Sequence, residues 1–196
     1  MNKPFGFLSF FIRLSGTRSV MHYVFISLLL LIVISSCRRY NTQQSEQDSG
    51  AIERQKKEVL LRVNQQLVEE EAREIEVFVK NNGWQMQTTG SGLWYMIYEQ
   101  GQGEKASLEK NATLAFTVSL MDSTICYSSA QSGFKTFRLG QGGVEAGLEE
   151  GVLLMRVGDK ACFIMPSHLA HGLTGDGNCI PQRATIMYDV ELVGIK

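Results

Sequence analysis

The clearest periodic pattern lies near the C-terminus, where Ile186, Tyr188, Val190 and Leu192 alternate with Met187, Asp189 and Glu191. A period of two buries one face and leaves the other wet, so residues 184–192 read as a half-buried strand. Leu114, Phe116, Val118 and Leu120 repeat the pattern over 114–121. Residues 93–98 follow the Gly90-Ser91-Gly92 turn as another strand. Residues 160–165 form a further strand that Pro166 closes, with Ala161, Phe163 and Met165 on the inner face. Cys162 and Ile164 then point outward, onto a face the long N-terminal helix can cover. A short helix is expected over 145–155. A long one is expected over 51–81, capped by Asp48 or Ser49 and stopped at Asn81-Asn82-Gly83. Leu60, Val63, Leu67, Ile75 and Phe78 approximate one face of the long helix, and Glu69 to Glu71 interrupt it. At about 1.5 Å per residue that helix would run about 45 Å.

Six pieces in the second half stand in a telling order: Leu139-Gly140, the GLEEGV helix at 147–152, VGDKA at 157–161, LAHG at 169–172, Ile180-Pro181, and the ATIMYDVEL strand at 184–192. This order resembles the FKBP-type peptidyl-prolyl cis-trans isomerases, over about residues 88–196. Gly101-Gln102-Gly103 and Tyr127-Ser128-Ser129 match two further family segments. No helix follows that GxG, so it is not a phosphate loop. The resemblance implies an α+β fold, a twisted antiparallel sheet of about five strands wrapped on one short helix and preceded by the long helix.

The resemblance also implies a prolyl pocket and assigns its positions. Phe116 and Tyr188 fall at aromatic wall positions, with Phe137 near them; Val144 and Ile180 fall at apolar lining positions. Leu148 takes the floor, where tryptophan is usual. His171 takes the position of a tyrosine whose hydroxyl binds a substrate carbonyl. Cys126 stands where the family has phenylalanine, and Tyr127 where it has aspartate. Glu145 stands where an isoleucine amide often binds the substrate. Leu148 buries less area than an indole, and a His171 ring nitrogen can still donate a hydrogen bond. Core packing alone would turn Phe116, Phe137, Val144 and Tyr188 inward, which makes His171 the informative residue.

The resemblance sets Cys126 at the pocket mouth and Cys179 on the loop arching over it. An oxidising compartment would permit a bridge between them, but a sequence does not fix geometry, so two unpaired cysteines are the expectation.

The N-terminus reads as a targeting segment. Lys3, Arg13, Arg18 and His22 precede an apolar run over 24–34, too short for a comfortable span. Ile34-Ser35-Ser36-Cys37 resembles a bacterial lipobox, with Cys37 the acylated (palmitate-bearing) residue. An uncleaved anchor helix is the alternative, and Met21 is a candidate start. The expected layout is a lipoprotein signal peptide at 1–36, a tether at 37–50, a helical arm at 51–83 and the FKBP-type domain at 84–196. Arg38 is not the aspartate tied to inner-membrane retention, so a periplasm-facing, outer-membrane anchor is expected. FKBP lipoproteins associated with gliding bacteria resemble this arrangement.

Composition narrows the partners. Lysine and arginine number 19 against 20 aspartate and glutamate, so nothing favours a nucleic acid. The three histidines, His22, His168 and His171, have no metal-ligand spacing, and neither a metal nor a cofactor is expected. The expected partners are proline-containing polypeptides, a membrane through Cys37, and a second copy through the N-terminal helix. The expected activity is prolyl isomerisation that assists folding in the cell envelope. The alternatives are a catalytically weak binding or chaperone module and an accessory of an envelope machine.

Overall fold

The computed structural model describes the backbone of residues 17–196 and the side chains of residues 21–33 and 52–196. The start of the expected signal segment and the Cys37 side chain lie outside these described residues. The chain divides into two units, Met1–Leu60 and Leu61–Lys196.

In the first unit the described backbone is helical, part of helix α1, Thr17–Asn81. Residues 38–50, expected as a tether, are helical too, so the helix expected to start at residue 51 has no N-terminus there. That stretch contains no proline, and its one glycine is Gly50, so nothing in it stops a helix. Among the described residues no helix is long and apolar enough to cross a membrane.

The second unit begins with the last turns of α1, which end where the sequence predicts. Gly83 adopts φ +68°, Gly83 N–H donates to the Lys80 carbonyl and Trp84 N–H to the Val79 carbonyl. This paired cap is the reason the helix stops at Asn81-Asn82-Gly83.

Seven antiparallel strands follow: β1 (Gln87–Thr88), β2 (Trp94–Glu99), β3 (Asn111–Leu120), β4 (Ile125–Ser128), β5 (Lys135–Arg138), β6 (Lys160–Met165) and β7 (Ile186–Ile195). Their order is β1-β2-β6-β7-β3-β4, with β5 also on β3. The four strands read from the sequence are β2, β3, β6 and β7; β1, β4 and β5, of two to four residues, are too brief for period two to register. Helix α2 (Ser129–Ser132) follows β4, and helix α3 (Ala146–Leu153) precedes β6.

The register agrees with the alternation. Ala161, Phe163 and Met165 are fully buried, as are Ile186 and, nearly so, Tyr188 and Val190. Helix α3 lies tight against them. A Cβ on Gly151 would come within 2.6 Å of the Phe163 ring, and one on Gly147 within 2.8 Å of the Met165 sulfur. These two glycines let helix and sheet close. Each large side chain sealed there contributes about 1.5–3 kcal/mol.

The outer face is covered, as expected. Ile164 packs with Ile75 and Val79 of α1, and Phe78, Trp84, Met86, Trp94 and Met187 surround them. The Phe78 and Trp84 rings meet edge to face at 5.7 Å. Leu60 and Val63, assigned to the same stripe, are exposed; within the second unit the stripe packs through Ile75 and Phe78. Glu71, taken as an interruption of that stripe, is itself buried.

Candidate functional site

Two neighbouring strands supply the aromatic wall. Phe116 on β3 pairs with Val190 of β7, and Val118 with Tyr188, so Phe116 and Tyr188 stand diagonally on one face. Their ring centroids are 6.2 Å apart. Leu148, fully buried on α3, belongs to the same core cluster, with Ile180 buried and Val144 and Phe137 half-buried against it.

A charged group sits on this wall. Lys135, the first residue of β5, places Nζ 5.6 Å from the Phe116 centroid and 5.7 Å from that of Tyr188. The ammonium donates to Tyr188 Oη at 3.2 Å and meets Glu145 Oε2 at 3.3 Å. Tyr188 O–H donates to Glu145 Oε1 at 2.8 Å. His171 Nε2 reaches the same oxygen at 3.2 Å. One carboxylate thus gathers an ammonium, a phenol and an imidazole. Burial works against Glu145's ionisation. The Lys135 ammonium, a backbone N–H and the Tyr188 hydroxyl outweigh it and hold the carboxyl below its ordinary value. Burial, and then the adjacent Glu145 charge, push the Tyr188 phenol far up, so it stays protonated as a donor.

The loop before Pro181 is fastened to β4. Asp176 Oδ1 accepts from the Asn178 and Ile180 amides at 2.9 and 2.8 Å. Tyr127 O–H donates to Asp176 Oδ2, and Asn178 Nδ2 donates to the Tyr127 oxygen at 3.2 Å. These bonds hold the Asp176 carboxyl below its ordinary value, with Tyr127 the largest cause. Cys126 and Cys179 are joined by a disulfide, Cα–Cα 5.5 Å. The expectation of two unpaired cysteines is therefore corrected. The loop folds back on Gly175, where a Cβ would meet the Ile180 carbonyl at 2.4 Å, and this brings Cys179 over β4. Among the described residues Cys162 is the free cysteine; burial and then Asp189 push its thiol up to about 12, so it is a poor nucleophile.

The structure thus joins Phe116 to Tyr188, and Tyr188 and His171 to Glu145. Leu148, Val144, Phe137, Ile180, Cys126 and Tyr127 pack into the core cluster beneath or beside them. Sequence reasoning missed Lys135 and Asp176. Lys135 shares a strand face with Phe137, two residues on, but its pairing with Glu145 becomes visible only with the β3–β5 register. Among the described residues no acidic, histidine and cysteine cluster could hold a metal ion.

A twisted antiparallel sheet closed on one short helix, with the Phe116 and Tyr188 rings on its inner side, defines an α+β class of domain. The family model described as FKBP-type peptidyl-prolyl cis-trans isomerase matches residues 99–193. FK506-binding protein 1 of Dictyostelium discoideum is 32% identical over 106 residues, 54% of this chain and 99% of that protein. The probable FKBP-type isomerase FkpA of Neisseria meningitidis is 40% identical over 123 residues, 61% of this chain and 44% of that protein. Among solved structures, FkpA from Escherichia coli superposes with TM-score 0.57 at 32% identity, covering 65% of this chain and 59% of that one. The chain belongs to the FKBP-type peptidyl-prolyl cis-trans isomerase family. It spans less than half the length of the Neisseria FkpA and of the 40% identical Aeromonas hydrophila FkpA.

Proposed function

We propose that this protein is a peptidyl-prolyl cis-trans isomerase that acts on proline-containing polypeptides and assists folding in the bacterial cell envelope. The observation that carries the reading is the Phe116–Tyr188 wall over Leu148, with His171 at its rim. Rotation about an X–Pro bond crosses about 18–20 kcal/mol because the amide must leave planarity. An apolar wall that excludes water favours the twisted, less polar amide, and no nucleophile or metal is needed. Phe116, Val144, Leu148, Ile180 and Tyr188 would line the prolyl cleft, and His171 would donate to a substrate carbonyl. Lys135 and Glu145 would hold the cleft's polar edge, and the bridged loop with Tyr127 its far lip.

The lipobox-like Ile34-Ser35-Ser36-Cys37 supports anchoring through an acylated Cys37, facing the periplasm from the outer membrane. The exposed Ile52, Val59, Leu60 and Val63 of the arm support pairing with a second copy. A second reading, a binding module of weak turnover, is favoured by the Lys135–Glu145 pair seated on the aromatic wall, which makes that wall more polar.

The test is proline-limited refolding of a client protein in the presence of the purified full chain. Acceleration that saturates with client concentration supports the isomerase. Tight client binding without acceleration supports the second reading.

A further inference from the structure

Buried polar side chains are few. Among the described residues they are Glu71, Asp159 and Ser167. Asp159 ties its own turn to the loop after β2, accepting from the Arg156 and Gly101 amides at 2.7 and 2.6 Å, away from the cleft residues. Glu71 reaches from α1 to the segment that carries His171. Its Oε2 accepts the Ser167 amide at 3.0 Å and its Oε1 the Ser167 hydroxyl at 2.7 Å. Both carboxylate oxygens are spent on one residue.

Ser167 opens the turn that leads to His171. It follows Pro166, which ends β6, and starts the 3-10 turn Ser167–Leu169. The first amides of such a turn lack partners within it, and a carboxylate is a strong acceptor for one of them. The Ser167 carbonyl then accepts the Ala170 and Gly172 amides at 3.1 and 2.8 Å, bracketing His171. His171 Nε2 in turn meets Glu145. The path from the arm to the polar edge of the cleft is therefore Glu71, Ser167, the 170–172 backbone, His171 and Glu145.

We infer that Glu71 is a positioning residue. By gripping Ser167, the docked end of α1 sets the 167–172 turn and places His171 against Glu145. This rests on the reading of His171 as the donor that faces the substrate. It adds that the arm completes the site, so that losing the grip frees His171 without unfolding the sheet.

The experiment compares the wild-type full chain, in detergent micelles, with Glu71→Ala, Glu71→Gln and Ser167→Ala. Ring signals of selectively labelled histidines are assigned with His171→Phe. Backbone hydrogen exchange and isomerisation of a prolyl tetrapeptide are followed on the same samples. In Glu71→Ala the His171 ring signal is expected to move and broaden. The Ala170 and Gly172 amides are expected to exchange at least about tenfold faster, while those of β7 keep their protection. With the peptide, kcat/KM is expected to fall several-fold. Glu71→Gln, which can still accept the Ser167 amide through its carbonyl oxygen and donate to the hydroxyl, is expected to stay near wild type. Ser167→Ala, which loses one of the two bonds, is expected to fall between; it decides the matter if Glu71→Ala does not fold.

An unmoved His171 signal with unchanged Ala170 and Gly172 exchange overturns the inference. So does an equal loss of protection in β6 and β7, because Glu71 is then a prop of the whole fold. If the wild-type chain isomerises and its loosened variants do so equally well, the positioning role falls. If the wild-type chain does not isomerise, the proposed function falls instead, and the ring and exchange readouts still decide what Glu71 does.

Discussion

The Cys126–Cys179 bridge makes a quantitative prediction. It closes a loop with a sequence separation of 53. In the chain-entropy model, removing a crosslink over such a loop frees the unfolded chain by about 14 cal/mol/K, about 4 kcal/mol at room temperature. For a domain of this size roughly 4 °C of melting temperature accompanies each kcal/mol, so reduction should lower the midpoint by about 15 °C. The Tyr127–Asp176 and Asn178–Tyr127 bonds lie beside the bridge and remain after reduction, so the folded loop keeps part of its hold. The assay is thermal unfolding of the full chain followed by near-UV circular dichroism, with and without reductant. Alkylation and mass spectrometry show which thiols are free. The Cys126→Ser/Cys179→Ser double variant should match the reduced wild type and be insensitive to reductant. A reduced chain, with both cysteines alkylated, that melts within about 2 °C of the oxidised one would refute the reasoning.

Other expectations follow from the same geometry. Glu145's carboxyl is held below its ordinary 4.5 in the folded chain, so its stabilisation is present above that value and lost as pH falls through the lower folded value. Acid unfolding should therefore be shallower in Glu145→Gln than in wild type, read as midpoint against pH. Replacing His171 with phenylalanine keeps bulk and removes the donor. It should lower prolyl turnover several-fold with little change in melting temperature; unchanged turnover would exclude a contribution from that hydrogen bond. Gly151→Ala drives a methyl into the Phe163 ring at 2.6 Å and should destabilise by about 1–3 kcal/mol in denaturant titration. Cys37→Ser should abolish acylation, seen by mass spectrometry of membrane fractions, and shift the protein out of them.

The four longer strands were legible because their side chains alternate, and β6 begins and ends where Lys160 and Pro166 place it. The same alternation set Cys162 and Ile164 on the outer face, which α1 covers through Ile75 and Val79. What stayed hidden depends on distances between remote segments. Glu71 looked like a charge that interrupts an apolar stripe, since nothing local shows that Ser167 waits opposite. Lys135 looked like an ordinary strand lysine until β5 paired with β3 beside Glu145. Cys126 and Cys179 could be named as neighbours through a resemblance, but whether their Cα atoms lie within bonding range is geometry a sequence does not carry. The helix was underestimated for a simpler reason: a polar stretch without proline is no barrier to helix.

The central claim is that the face formed by Phe116, Tyr188 and Leu148 turns over prolyl bonds. Exchange NMR on a prolyl tetrapeptide tests it most directly, because it observes both isomers at equilibrium. Uncatalysed interconversion takes tens of seconds or longer, so no exchange peaks join the cis and trans signals at a mixing time of about half a second. With a catalytic amount of the full chain, such peaks should appear, and they should weaken when Tyr188→Phe removes the hydroxyl that contacts Glu145 and Lys135. Cis and trans signals that stay unconnected, even at equimolar protein that visibly binds the peptide, would contradict the account.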